Sequence, residues 1–137
     1  MTTTERRRRR GDDTRNALVR AALQDIERDG IAAATTRRIA EQAGPPLGAV
    51  HYWFADKDDL LRAVVQVLLT EVRDDLGVGP DGESAGQRLA RIFANYVAMR
   101  PGRQLALFEV TTHAIRTDGL QPLAVGQYEA SREGLRP

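Results

Sequence analysis

Residues 35–54 read TTRRIAEQAGPPLGAVHYWF and contain two short helical patterns on either side of a helix-breaking segment. The first pattern ends at Ala43, and the second pairs Val50 with Phe54 at i, i+4 spacing. The glycine and two prolines at 44–46 exclude one continuous helix through this stretch. The sequence therefore predicts two small helices that meet at a sharp angle, each burying one apolar stripe.

The faces opposite those stripes carry polar, basic or small side chains. Small residues at the start of the second helix allow its tip to enter the major groove of DNA, with polar and basic groups around it. This pattern indicates a helix-turn-helix motif that reads DNA. The residues on these faces are Thr36, Arg37, Leu47, Gly48, Ala49, His51 and Tyr52.

Composition narrows the class of protein. A chain of 137 residues is long enough for one domain, or for a small module fused to part of another. It has no cysteine and 2 histidines, which argues against disulfides and against a metal site, and no cofactor is expected. The net charge is +1, yet residues 6–10 are all arginine and the charges after residue 60 cancel. Positive charge is thus concentrated near the predicted DNA reader.

Neither catalysis nor membrane insertion is expected. The sequence lacks a G-x-S-x-G motif, and its glycine-rich stretch at 77–83 lacks the Lys-Ser/Thr pair of a phosphate-binding loop. Its longest apolar run, at 63–69, is interrupted by Gln66 and is far short of the roughly 20 residues that span a bilayer. The N-terminal arginines precede no apolar run of a secretory signal. We expect a non-enzymatic, soluble, cytoplasmic protein.

Helical periodicity runs along most of the chain and no strand pattern occurs, so the predicted fold class is all-α. Residues 1–11 are polar and charged, and we expect them to form a disordered basic arm. Residues 12–56 are predicted to form a three-helix helix-turn-helix domain. Residues 57–137 are predicted to form a helical regulatory domain, with helix four linking the two. Within it we expect a linker at 77–83, a helix capped by Ser84, a well-buried helix at 103–116 and a seventh helix that includes Tyr128.

Residues 14–64 resemble the TetR family of bacterial transcriptional regulators. The family pattern has a glycine after the first helix, then T-T-x-x-I-A, A-G, G-x-(L/V)-Y-x-x-F and K-E-x-L-L. This chain has Gly30, TTRRIA at 35–40, AG at 43–44, GAVHYWF at 48–54 and DKDDLL at 56–61, without a gap in the spacing.

The resemblance implies a ligand-responsive, sequence-specific transcriptional regulator, by base rate a repressor that a small molecule releases from its double-stranded DNA operator. Arg37 would reach a guanine edge, although a solvated surface arginine is the alternative. Trp53 and Phe54 more often belong to the core. The implied DNA contacts are Thr36, Arg37, Leu47, Gly48, Ala49, His51, Tyr52 and the phosphate-binding Lys57.

The second half has no diagnostic motif and is assigned to effector binding and dimerisation by the resemblance. Aromatic residues on helical faces there can be plain core, but Thr112 and His113 are able to orient a ligand. The candidate pocket residues are Phe93, Tyr96, Phe108, Thr112 and His113.

The chain departs from the family pattern at three places. Pro45 and Pro46 replace a valine and a Ser/Thr cap, and Pro46 cannot cap a helix through its side chain. His51 replaces a tyrosine, so a phosphate contact there would be made by imidazole and would depend on pH. Family chains continue with two further helices that form the dimer interface, so we expect a homodimer through a C-terminal region absent or truncated here. The alternative function is a ligand-sensing or protein-interaction module that has lost DNA binding.

Overall fold

The fold is described from a computed structural model covering residues 1–76 and 79–134, with backbone alone for residues 76, 127, 128 and 130–134. These residues form helices without any strand, which confirms the all-α prediction. The start of the expected linker, at 77–78, and the side chain of Tyr128 lie outside the described residues. A 3₁₀ turn occupies Ile31–Ala33. The helices are α1 (Thr3–Asp29), α2 (Thr36–Ala43), α3 (Leu47–Trp53), α4 (Lys57–Leu76), α5 (Ala85–Ala98), α6 (Pro101–Arg116) and α7 (Gln121–Gly134).

Helix α1 begins much earlier than the sequence suggested. The expectation of a disordered arm at residues 1–11 is wrong, because α1 starts at Thr3. A capping box explains this start. The Thr2 hydroxyl accepts from the Glu5 amide at 3.2 Å, and the Glu5 carboxylate accepts from the Thr2 amide at 2.6 Å. Arginine is a good helix former, so the basic block at 6–10 continues the helix from this cap.

The chain divides into two compact units, Met1–Val64 and Val65–Pro137, with the division inside α4. The first unit has a core of large apolar side chains from α1, α2, α3 and α4, with Phe54 just after α3. Its fully or nearly fully buried large residues are Leu18, Val19, Leu23, Ile26, Ile39, Val50, Phe54, Leu60, Leu61 and Val64.

A buried carboxylate ties α2 to α1 in the first unit. The Asp25 side chain is 0% exposed, and its Oδ1 accepts from Arg28 Nη2 at 2.5 Å. On α2, Arg38 Nε lies 3.5 Å from Asp25 Oδ2, and Arg38 also pairs with Asp29. Both arginines also hold the pKa of Asp29 below its ordinary value, with the hydrogen bond from Arg28 as the larger cause. The cluster therefore fixes the orientation of the helix that precedes the turn.

The second unit buries large side chains such as Leu68 and Leu120, but it also leaves several large apolar side chains exposed. Helix α6 was expected to be well buried, but only its Ala106, Val110 and Ala114 face is. Leu105 and Phe108, each 62% exposed, lie on its open side. Helix α5 has no buried residue at all. Its Leu89, Phe93 and Val97, spaced four apart, form an exposed apolar stripe.

Polar contacts compensate for the shallow burial of α5. Ser84 and Gln87 form the capping box at its start, as predicted for Ser84, with bonds of 2.9 and 3.3 Å. At its end, Gln104 Nε2 donates to the carbonyls of Tyr96 at 2.8 Å and of Met99 at 3.1 Å. No helix in the described ranges 1–76 and 79–134 is long and apolar enough to cross a membrane.

Candidate nucleic-acid interface

The turn between α2 and α3 is made by Gly44 and Pro46. Gly44 has φ 93° and ψ −27°, a left-handed conformation that a residue with a side chain rarely adopts, and its amide donates to the Ala40 carbonyl at 3.0 Å. Pro46 precedes α3 in an extended conformation, and its carbonyl accepts from the Ala49 amide at 2.8 Å. The prediction of two separate short helices is confirmed.

Helix α3 is anchored on one side and open on the other. Val50 and Phe54 are 0% and 2% exposed and hold the helix in the core of the first unit. On the outer side Leu47 is 43% exposed and Tyr52 is 80% exposed. A Cβ placed on Gly48 would meet no atom within 4 Å. The first turn of α3 is therefore a thin, uncovered tip, the shape that close approach to a nucleic-acid groove requires.

At the start of α2, one threonine caps the helix and the next is the candidate phosphate contact. Thr35 is the cap, because its Oγ1 accepts from the Arg38 amide at 3.3 Å. Thr36 is the first helical residue, so its hydroxyl does not serve as the cap. The Arg37 side chain is 81% exposed and its Nε lies 3.2 Å from Glu41 Oε1. An exposed pair of this kind is worth at most about 1 kcal/mol, so a base edge or phosphate can replace it.

Lys57 differs from a simple solvated lysine. Its Nζ donates to the Ile31 carbonyl at 2.8 Å, which ties the start of α4 to the 3₁₀ turn. An ammonium group has three donors, so this bond leaves capacity for a phosphate oxygen. Asp56 caps α4 through the Asp59 amide at 2.8 Å, and Asp59 reaches back to the Ala55 amide at 3.0 Å. These two carboxylates satisfy free amides at the start of α4.

All the candidate DNA-binding residues lie in the first unit, exposed or partly exposed, on α2, α3 and the first turn of α4. Sequence reasoning missed how α1 packs against the end of α3. A Cβ on Gly11 would lie 3.0 Å from the Trp53 ring, and the Arg15 guanidinium sits 5.4 Å from the centre of the Phe54 ring. A glycine placed among helix formers was the available signal for this close approach.

The candidate pocket residues of the second unit form an open surface. The Tyr96 and Phe108 rings meet edge to face with 6.3 Å between their centres. Phe93 and Phe108 are 67% and 62% exposed, and Thr112 is also exposed. His113 Nε2 lies 3.3 Å from the Thr117 hydroxyl. A shallow depression in the same unit is lined by Asp75, Asn95, Ala98 and Met99 rather than by these residues.

A left-handed glycine turn between two short helices, followed by a thin exposed helix tip, forms a helix-turn-helix motif, the arrangement that many DNA-binding proteins use. Residues 18–64 match the family described as bacterial regulatory proteins, tetR family. The match places a segment similar to the tetR-family regulatory proteins across α1–α4 of the first unit.

Similar proteins include two curated regulators. The nicotine-responsive transcriptional repressor HdnoR of Paenarthrobacter nicotinovorans is 42% identical over 60 residues, which are 44% of this chain and 31% of HdnoR. The transcriptional regulator BetI of Stenotrophomonas maltophilia (strain R551-3) is also 42% identical over 60 residues, with the same shares of each chain. The matched segment of this chain thus covers only 31% of the length of each of these relatives.

Among solved structures, the multidrug binding protein EbrR complexed with imidazole superposes with a TM-score of 0.77 at 25% identity. That superposition covers 91% of this chain and 69% of EbrR. EbrR complexed with ethidium superposes with a TM-score of 0.75 at 26% identity, over 85% of this chain and 70% of EbrR. The likeness to solved structures therefore extends into the helices of the second unit.

Proposed function

We propose that this chain is a ligand-responsive, sequence-specific DNA-binding transcriptional regulator, a repressor that a small molecule releases from its operator. The observation that carries the DNA-binding part is the uncovered first turn of α3, where nothing lies within 4 Å of a Cβ built on Gly48. A helix backbone can approach base edges closely only where its side chains are small. The proposed partner is duplex DNA read in its major groove.

The residues around that tip divide into two roles. We assign contacts with thymine methyl groups to Leu47 and Ala49, and a two-pronged hydrogen bond to a guanine to Arg37. The remaining residues position the protein on the DNA backbone, where hydrogen bonds fix the register without reading sequence. These proposed backbone contacts are Thr36, His51, Tyr52 and Lys57.

Selection from a random duplex library by the full chain tests the DNA-binding proposal. We expect enrichment of one sequence family at low salt, since base contacts of this kind discriminate by about 1–3 kcal/mol each. Arg37→Ala should relax the preference at one base position. Arg62→Ala removes an exposed arginine from α4 in the same unit and should leave every preference unchanged. A wild-type chain that enriches no sequence at any salt concentration contradicts the proposal.

The effector is proposed to bind the aromatic surface of the second unit. Tyr96 and Phe108 already meet edge to face, and Phe93 is exposed on the same helix as Tyr96. EbrR, similar over both units, has been solved with the planar aromatic dye ethidium. We therefore propose a planar aromatic effector that stacks on these rings, with Thr112 and His113 orienting its polar groups.

Release from DNA requires that the effector bind one state of the protein better than the other. Couplings of this kind are typically about 1–3 kcal/mol, which weakens DNA binding by roughly 5- to 150-fold. We propose that the responding form is a homodimer whose two α3 helices read half-sites about one helical turn apart.

Ethidium serves as the probe for this part of the proposal. We expect its fluorescence to report saturable binding to the full chain, and Phe108→Ala to weaken that binding by roughly tenfold through loss of stacking. Val125→Ala removes an apolar side chain that is 52% exposed on α7 and is the matched control. Equal ethidium binding by the two variants would contradict the proposal that the effector binds the aromatic surface.

A second candidate function is a sensing module that does not bind DNA, and Pro46 is the observation that favours it. Pro46 precedes α3 without a side-chain capping bond, which weakens the start of the proposed recognition helix. A folded chain that binds ethidium yet retards no duplex at low salt would select this candidate.

A further inference from the structure

The N-terminal part of α1 carries a strongly basic segment that a helix-turn-helix does not need. Residues 6–10 are five consecutive arginines, all exposed and all within α1. No ion pair engages them among the residues that the structure describes. The segment is thus a charged, ordered helical extension without a partner inside the first unit.

Two contacts fix where this extension runs. The backbone of Gly11 approaches the Trp53 ring so closely that a Cβ would lie 3.0 Å from it. One turn later, Arg15 stacks 5.4 Å above the centre of the Phe54 ring. Both aromatic residues lie at the C-terminal end of α3. The arginine segment therefore begins where α1 passes the end of the proposed recognition helix.

Helical spacing separates four of the five arginines into two sets, and Arg10 lies between them. Arg7 and Arg8 precede Gly11 by four and three residues, so they share its face and lie on the side of α1 that contacts α3. Arg6 and Arg9 precede Gly11 by five and two residues, so they project from the opposite side.

We propose that Arg7 and Arg8 form a phosphate-binding edge that contacts the DNA backbone beside the bases read by α3. This inference rests on the proposed DNA-binding function and adds a second binding element to it. A duplex that takes the first turn of α3 in its groove extends along that helix toward its C-terminal end, where α1 passes, and an arginine fork matches two phosphate oxygens. The occupant is DNA because the edge offers donors and positive charge without an apolar surface.

The helical form of the segment determines the kind of contact. An α-helix with side chains is about 10–12 Å across, whereas the minor groove of B-DNA is about 6 Å wide. The segment therefore contacts phosphates from outside the groove and does not enter it as an extended arm. Contacts of this kind add affinity and salt dependence but leave base preference unchanged.

Two double variants of the full chain test the edge, with a fluorescent duplex enriched by the wild type as the probe. Arg7→Ala with Arg8→Ala and Arg6→Ala with Arg9→Ala remove the same charge and change helix propensity equally. For the first pair we expect the slope of log K against log salt concentration to fall by about 1.8, since each phosphate contact contributes about 0.9. Binding at 0.15 M salt should weaken roughly tenfold. For the second pair we expect a slope change below about 0.5.

Equal slopes for the two double variants, or an altered base preference in the first, overturn the inference while leaving the proposed function intact. A wild-type chain that enriches no duplex overturns the proposed function and this inference with it.

A single-site comparison then tests the helix itself. Arg8→Pro breaks α1 within the basic segment, whereas Arg8→Ala removes the same charge and keeps the helix. We expect the proline variant to lower the salt slope about twice as much, because it also displaces Arg7 from the edge. Equal slopes would show that the arginines act as a flexible tail and would overturn the proposed geometry. Circular dichroism should confirm that both variants keep the helices that follow.

Discussion

The two units of this chain differ in how many of their large apolar side chains are exposed to solvent. In the first unit, aliphatic residues such as Leu18 and Leu60 are 0% and 1% exposed. In the second, Leu68 and Leu120 are also fully buried, yet Phe93 and Phe108 are 67% and 62% exposed. The first unit thus buries most of its large apolar side chains in its own core. The second presents apolar surface outward, as a unit that binds a ligand or another chain does.

The first and largest expected effect compares one large side chain from each unit. Leu18→Ala should lower the free energy of unfolding by about 3 kcal/mol, because it leaves a cavity in a packed core. Phe93→Ala should change it by less than about 0.5 kcal/mol, because the ring is already in solvent. Urea unfolding followed by circular dichroism measures both. A loss above 2 kcal/mol for Phe93→Ala would mean that its ring is covered in solution.

The second prediction compares an ion pair whose carboxylate is fully buried with one whose carboxylate is partly exposed. Asp25→Ala should cost about 2 kcal/mol, below the 3–5 kcal/mol of a fully buried pair, because Arg28 and Arg38 can turn to water. In the second unit, Glu71 accepts from Arg103 at 2.6 Å with side chains 28% and 14% exposed. Glu71→Ala should therefore cost less, about 1 kcal/mol. Thermal unfolding of the two variants gives the order, and the reverse order would break the comparison.

The third prediction concerns how α5 is held, since it buries no residue of its own. Ser84→Ala removes its capping box and should cost about 1 kcal/mol. The effect should be local, with faster hydrogen exchange in α5 and unchanged exchange in α2. Thr35→Ala, which removes the cap of α2, is the counterpart, and its loss should reach α1 through the buried Arg38–Asp25 contact. Identical hydrogen-exchange patterns for the two variants would contradict the expectation that the cap of α5 acts locally and the cap of α2 does not.

The smallest expected effect is a pH dependence in the second unit. Hydrogen bonds from Arg91 Nε at 2.9 Å and Nη2 at 3.1 Å hold the pKa of Glu83 below its ordinary value. A carboxyl whose pKa is lowered by folding stabilises the protein above its unfolded pKa, about 4.3, and loses that contribution as pH falls through the lower folded value. The thermal midpoint of Glu83→Gln should therefore fall less than that of the wild type as the solution is acidified below pH about 4.3. If the two curves of thermal midpoint against pH run parallel, the Glu83–Arg91 pair does not contribute to stability.

Local rules predicted the helices, the glycine turn and the cap at Ser84 because each depends on neighbouring residues. The start of α1 was missed, although the T-x-x-E box at Thr2 and Glu5 is itself a local signal, because five like charges indicated disorder more strongly. Burial of α6 was overestimated because the sequence of an apolar face is the same whether another helix or solvent contacts that face. Asp25 was missed because its partner Arg38 comes from another helix.

The candidate DNA surface remains a prediction at the level of single residues. Sequence pattern placed Gly48 and Tyr52 on an outer face, and that exposure is observed. It did not indicate that Lys57 would bond to the Ile31 carbonyl, or that Gly11 would bring α1 against Trp53. Both contacts join residues that are distant in sequence, so periodicity alone carries no information about them.

The most direct test of the DNA-reading tip uses two glycines in equivalent positions. Gly48 is the second residue of α3 and Gly86 is the second residue of α5, and a Cβ on either would meet no atom within 4 Å. Leucine at either site should leave the fold intact, so the affinity for a duplex enriched by the wild type isolates the role of the site. We predict that Gly48→Leu weakens that binding by more than about 100-fold, as a lost close approach to base edges implies, and that Gly86→Leu leaves it unchanged. Equal affinity of the two variants would contradict the assignment of α3 as the helix that reads DNA.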